Sequence, residues 1–193
     1  PYGKPPVGER RFNPPLAFGD WDGTRDALEF APSAPQLVDP AQTGDANALR
    51  AERMDEDCLY LNVWAPEAPG KYPVLVWLHG GAQVMGGTSR PVYDGAAFAR
   101  SGIVGVTVGH RLGALGLLEC GKVLGPDYAD SGNSALRDQV LALQWVKDHI
   151  AAFGGDPKRV TLGGESAGGK NVAALMSSPL ADGLFHAAII VSG

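Results

Sequence analysis

Cysteine is scarce: Cys58 and Cys120 are the only two in 193 residues, which is too few for a disulfide scaffold. They are far apart in sequence and neither has metal-site spacing, so they read as two separate, partly buried thiols. Long apolar runs are missing as well. The longest stretch, near Ala187 to Val191, is far short of a bilayer span, so the expectation is a soluble protein without a membrane segment. Runs of like charge are absent, and 16 basic against 21 acidic residues leave a net charge of −5. That balance argues against a nucleic-acid or anionic-membrane surface. No repeat or low-complexity tract appears. The chain starts at Pro1 rather than Met, and Tyr2 to Val7 is a Pro/Gly-rich, surface-like segment with no charged-then-apolar leader, so any export signal has been removed or was never there.

What is present suits one globular domain, since a chain of this length buries roughly 70% of its unfolded surface. Residues 1 to about 57 carry many prolines, glycines and charges with little periodicity, which predicts an irregular lid over the surface with at most a short strand or two. From 58 onward the apolar pattern is regular. Leu59 to Trp64 and Tyr72 to Leu78 are apolar, β-branched or aromatic runs separated by the turn-prone Pro66 to Gly70, as neighbouring strands would be. Asp94 to Arg100 is a short helix candidate. Ile103 to Val108 is too short for a helix and rich in valine, so it reads as a strand buried on both faces of a parallel sheet. From Ser134 to Phe153, Leu136, Val140, Leu143, Val146, Ile150 and Phe153 recur every three or four residues and mark an amphipathic helix that Gly154 and Gly155 end. Val160 to Leu162 and Ala187 to Val191 read as further buried strands.

The chemistry concentrates in Gly164-Glu165-Ser166-Ala167-Gly168, which follows a strand and precedes a small-residue helical run. A strand turning abruptly into a helix presents the serine at its tip in a strained conformation, and flanking glycines leave room for the crossing. Five residues of this kind recur by chance, so context matters. Upstream, His79-Gly80-Gly81-Ala82 reads in isolation either as a plain strand-ending turn or as a loop whose amides approach a substrate; its pairing with the serine turn favours the second. Glu56-Asp57-Cys58-Leu59-Tyr60-Leu61-Asn62-Val63 and Phe153-Gly154-Gly155-Asp156-Pro157 complete a set of four motifs. In that order, and from Pro1-Tyr2-Gly3-Lys4-Pro5-Pro6-Val7-Gly8 onward, the chain resembles the type B carboxylesterase family, which includes the cholinesterases.

The resemblance implies an α/β-hydrolase fold with a mostly parallel sheet flanked by helices, 1–193 being the N-terminal part of a single domain. It implies a carboxylic ester hydrolase in which Ser166 is the nucleophile and the amides of Gly81, Ala82 and Ala167 form an oxyanion hole. Such amides stabilise the developing negative charge without reorganising. No metal or organic cofactor is implied, and the expected partners are a small-molecule ester and the C-terminal remainder of the same enzyme. His79 would shape the glycine loop and Glu165 would tune the site or serve a structural ion pair. Glu56 would pair with Arg111 as a structural bridge. The serine needs a base held by a carboxylate, and in this fold both follow it in the chain. After Ser166 only Asp182 and His186 are available, too soon after the turn, and His110 and His149 precede it; the sequence therefore predicts that acid and histidine lie on a C-terminal segment outside it.

Departures from the family pattern are specific. Ala34 stands where many secreted members have a cysteine bridged to the one at Cys58, which points to a reducing, cytoplasmic compartment over a secreted one. Gln83 replaces an aromatic residue, His110 a tyrosine, Leu117 a phenylalanine and Gly163 a bulkier residue. Lys170 is either an exposed lysine or a cation suited to a carboxylated substrate. Two rivals remain at this level: a non-catalytic binding module of the same family, and a hydrolase of amides, thioesters or carbamates, which would use the same parts.

Overall fold

The computed structural model describes residues 1–37 and 53–193. Five strands form one sheet: β1 (Leu61–Trp64), β2 (Tyr72–Leu78), β3 (Val104–Val108), β4 (Gly155–Glu165) and β5 (Ala187–Val191), in the order β1-β3-β2-β4-β5. β1 runs antiparallel to β3 and every other pair is parallel. The helices are α1 (Ala96–Arg100), α2 (Gly113–Leu117), α3 (Gly121–Leu124), α4 (Ser134–His149) and α5 (Ala167–Met176). The α/β class read from the sequence holds, but β1 and β2 are not neighbours: β3 lies between them. The turn residues Pro66 to Gly70 announced a break in the chain and carried no information about pairing.

β2, β3 and β5 form where the sequence is rich in β-branched residues. β3, Val-Gly-Val-Thr-Val, is buried along its whole length, as a central parallel strand should be. In β2, Val74, Val76 and Leu78 point into the core, which also holds Val160 and Leu162 of β4, Leu143 and Val146 of α4, and Val172 and Leu175 of α5. Asp94 Oδ1 accepts the Ala96 N–H at the start of α1. α4 continues as a single-turn 3₁₀ segment, Ile150–Phe153, and stops at Gly154, whose φ of 76° is left-handed.

Three expectations about burial need correction. The deepest stripe of α4 is Ala135, Asp138, Gln139, Ala142, Leu143 and Val146. Leu136 and Val140 are only half-buried and Phe153 is exposed. The spacing is helical as predicted, but two inward positions carry polar groups that an apolar count passes over. β5, paired with β4, is exposed at all five residues, with Ile189 45% and Ile190 46% accessible. Hydrophobicity fixed its conformation and not what covers it. Finally, Tyr2 is not a surface residue. It is 1% exposed, its backbone N–H donates to the Leu59 carbonyl and its phenol donates to the Gly109 carbonyl at 2.7 Å. Around it residues 1–37 are largely irregular, with isolated bridges Gly3↔Ala17 and Ser33↔Met54. The part of the expected lid at positions 38–52 lies outside the described residues.

The predicted Glu56–Arg111 pair does not form. Glu56 takes a bidentate bond from Arg11, at 2.6 and 2.5 Å, in a partly exposed setting. Arg111, 2% exposed, gives Asp138 two guanidinium bonds of 2.7 and 2.9 Å and a backbone N–H bond of 3.0 Å. A third guanidinium nitrogen donates to the Asn13 carbonyl. The inward face of α4 supplies the carboxylate, and a buried guanidinium needs a counter-charge at bonding distance together with acceptors for its remaining N–H groups.

Candidate active site

The register Leu78↔Gly164 places the ends of β2 and β4 side by side, so the loop leaving β2 meets the turn leaving β4. Ser166 is that turn. Its φ of 55° and ψ of −118° lie outside the regions an L-residue ordinarily occupies, between the last residue of β4 and the first of α5. Its N–H donates to the Val191 carbonyl at 2.9 Å, which latches the corner to the end of β5. The crossing is tight: a Cβ on Gly168 would run into the Leu78 carbonyl, and backbone has no way to yield there. Ser166 itself is half-buried, neither sealed nor free.

Across from it, a Cβ built on Gly80 would lie 3.3 Å from the Ser166 Cβ and 2.6 Å from Glu165 Oε2. The loop beyond has three successive positive φ angles, 117° at Gly81, 54° at Ala82 and 66° at Gln83. The Gly81 carbonyl accepts the N–H groups of Val84 and Met85, each at 3.0 Å, so the turn is closed from within. The N–H groups of Gly81, Ala82 and Ala167 go to no acceptor among the described residues. The structure thus brings Gly80, Glu165 and Ser166 into one corner; of the predicted site residues besides Ser166, Gly81 and Ala82 come next in the loop and Ala167 is the first residue of the helix. Glu165 also borders an apolar cavity of about 500 Å³ walled by Trp64, Leu75, Trp77 and Phe98. Lys170 is exposed on the first turn of α5.

The histidines stand elsewhere in the fold. His186 opens β5, its Nδ1 accepting the Val160 N–H at 3.3 Å; five residues of strand separate Val160 from Glu165, roughly 17 Å at the usual rise. His149 lies tilted against Trp145 at the end of α4, ring centroids 5.2 Å apart. His79 and His110 lie beneath the loop, stacked with ring centroids 4.6 Å apart. Each gives its Nδ1 hydrogen to a carbonyl, of Gly80 at 2.8 Å and of Arg111 at 2.9 Å. In both rings Nδ1 therefore carries a hydrogen, and in a neutral ring Nε2 is then the bare nitrogen. None of the four hydrogen-bonds the Ser166 hydroxyl. The two cysteines are free and buried, as two separate thiols should be, and burial pushes the Cys58 thiol well above its ordinary range.

Burial, and secondarily its neighbour His110, lower the pKa of His79 to about 3. Burial also lowers His110. Unfolded, an imidazole takes a proton near pH 6.5. Between pH 6.5 and about 3 the unfolded chain consequently binds more protons than the folded one, and stability falls as pH falls through that window. Two units below 6.5 the His79 contribution to that loss is about 2 to 3 kcal/mol. Urea midpoints at pH 7 and 4.5 should therefore differ less in His79→Gln than in the parent; an equal difference would show that His79 is not held neutral.

Sequence reading missed Asn171, which is 5% exposed on α5 and bonded to Gln83. The signal was an uncharged polar residue directly after Lys170 in the mostly small and apolar run Ala167 to Met176. It missed Asp138 for the same reason.

A model of the carboxylesterase family matches residues 1–193. The para-nitrobenzyl esterase of Bacillus subtilis is 45% identical over 100% of this chain and 39% of its own length. A medium-chain fatty acyl-CoA hydrolase precursor of Anas platyrhynchos is 46% identical over 100% of this chain and 35% of its own. A solved carboxylesterase of Geobacillus stearothermophilus, 46% identical, aligns with a TM-score of 0.88 over 98% of this chain and 38% of that one. The chain thus spans little more than a third of the length of the proteins it matches, and shares with them the α/β-hydrolase fold.

Proposed function

From the premise that this chain belongs to the carboxylesterase family, we propose that it is the N-terminal, nucleophile-bearing part of a single-domain serine esterase. Residues 1–193 supply the nucleophile and the oxyanion donors, and the remainder of the polypeptide supplies the histidine base and the carboxylate that orients it. The ester carbonyl docks with its oxygen toward the N–H groups of Gly81, Ala82 and Ala167. The Ser166 hydroxyl adds to the carbonyl carbon and gives its proton to the histidine, the alcohol departs with that proton, and water then releases the acid from the acyl-enzyme.

The observation that carries this reading is the Ser166 corner, at φ 55°, facing a glycine turn with its amides uncommitted. A binding module has no use for either, and strain of this kind persists where a function holds it. The alcohol side of the bond is less constrained. An oxyanion hole reads only the carbonyl, and relatives include an esterase and an acyl-CoA hydrolase, so the acyl-transfer class is firmer than the leaving group.

The test is covalent. An organophosphonate added to the intact enzyme should form an adduct mapped by peptide mass to Ser166. The same reagent on the 193-residue chain alone should react at least about 100-fold more slowly, because no histidine is there to take the proton. An intact enzyme without an adduct at Ser166 would end the proposal.

A further inference from the structure

The glycine loop and the nucleophile helix are joined by two side-chain amides. Gln83 Nε2 donates to Asn171 Oδ1 at 2.5 Å, and Asn171 Nδ2 donates back to Gln83 Oε1 at 3.4 Å. The same Gln83 nitrogen reaches the Ala167 carbonyl at 3.5 Å. We propose that Gln83 and Asn171 are positioning residues, a clasp that fixes the loop Gly80 to Gln83 against the first turns of α5 and so holds the Gly81 and Ala82 amides in place relative to Ser166. The proposal rests on the ester-hydrolysis reading above for its kinetic consequences, and on the geometry alone for its structural ones.

The loop needs an external hold. Ala82 and Gln83 are non-glycine residues at positive φ, conformations that persist only where the surroundings impose them. The internal bonds to the Gly81 carbonyl shape the turn without locating it. On its far side the loop is located by the Gly113 N–H, which donates to the Gln83 carbonyl at 2.7 Å and ties it to the start of α2. On its near side, among the described residues, the side-chain bonds to α5 are those of Gln83. Asn171 sits five residues beyond Ser166 on the helix whose first N–H is that of Ala167.

The proposed hole therefore draws its donors from two bodies, loop and helix, and the clasp crosses between them. Oxyanion donors act when they lie within a few tenths of an ångström of their proper place, and a misplacement of 1 Å is enough to lose about 100-fold in rate. A polar link also differs from an aromatic plug in how it fails. Removing Gln83 leaves the buried Asn171 amide without this partner, and removing Asn171 breaks the same link, so losing the second after the first should add little.

The experiment uses the full-length enzyme and three variants, Gln83→Met, Asn171→Leu and the pair together. These keep approximate length and shape and delete the hydrogen bonds. Each single change is expected to lower kcat about 10- to 100-fold with KM within about twofold. The double variant should match the worse single one within about threefold. Amide exchange at residues 81–85 should rise in each variant. Unchanged kcat in both single variants, a rise in KM at constant kcat, or losses that multiply in the double variant would each overturn the clasp. If the parent enzyme neither turns over esters nor takes phosphonate at Ser166, it is the hydrolase reading that fails; exchange at 81–85 then decides the clasp by itself, unchanged rates refuting it. Should Asn171→Leu not fold, the half-buried Gln83→Met carries the same comparison.

Discussion

Ser166→Ala in the intact enzyme is expected to lower ester turnover about a million-fold, with binding of a non-hydrolysable ester analogue unchanged. The size follows from what one oxygen does at this corner. In the proposed mechanism it is the bond-forming atom, so its loss would remove the acyl-enzyme route entirely and leave whatever the uncommitted amides of Gly81, Ala82 and Ala167 do for direct attack by water. That residue of activity is about a thousandfold above the uncatalysed rate in comparable serine enzymes. Folding should not suffer, because alanine meets the same φ of 55° with the same Cβ. The decisive comparison is kcat beside a urea midpoint. Turnover within 100-fold of the parent, at unchanged stability, would mean the nucleophile lies elsewhere.

Asp138→Asn should destabilise the fold by about 3 to 5 kcal/mol. Asp138 is fully buried and answers three nitrogens of Arg111, two in the guanidinium and one in the backbone. Asparagine keeps the shape but leaves a cation 2% exposed without a counter-charge. The melting temperature should fall with it, by several degrees. Glu56→Gln is the contrasting control. Its partner Arg11 is 43% accessible, and pairs in such settings contribute at most about 1 kcal/mol. Melting curves of the two variants side by side check this difference; a shift in Glu56→Gln as large as that in Asp138→Asn would mean that burial does not set the weight of these two pairs.

What the sequence made legible was local. Tyr72–Leu78 was read residue for residue because β-branched and aromatic residues between turn formers specify a strand without help from the rest of the chain. The serine corner was legible for the same reason, its glycines marking where backbone must pass backbone. What stayed hidden was pairing across distance. Nothing near Arg111 says that its carboxylate comes from position 138, since Glu56 offers the same charge. Gln83 was visible only as a departure from a family pattern, and its partner Asn171 not at all, because an amide carries no periodicity. β5 shows the converse. Its apolar residues specified a strand, but burial depends on what packs over it, which no window of five residues contains.

The anchoring of Tyr2 has a kinetic side. Tyr2 bonds to Gly109, Asn13 to Arg111 and Phe12 to Ser134, contacts 107, 98 and 122 residues apart in sequence. Loops of that size close slowly, and folding rates fall as native contacts become less local. At about 5 to 20 residues per second, a ribosome needs on the order of 7 to 25 seconds to pass from the first of these partners to the last. For most of that interval, until Gly109 is made, the Tyr2 phenol lacks its acceptor and the segment around it lies open to chaperones and proteases. Residues synthesised so long before their partners are the latest to settle.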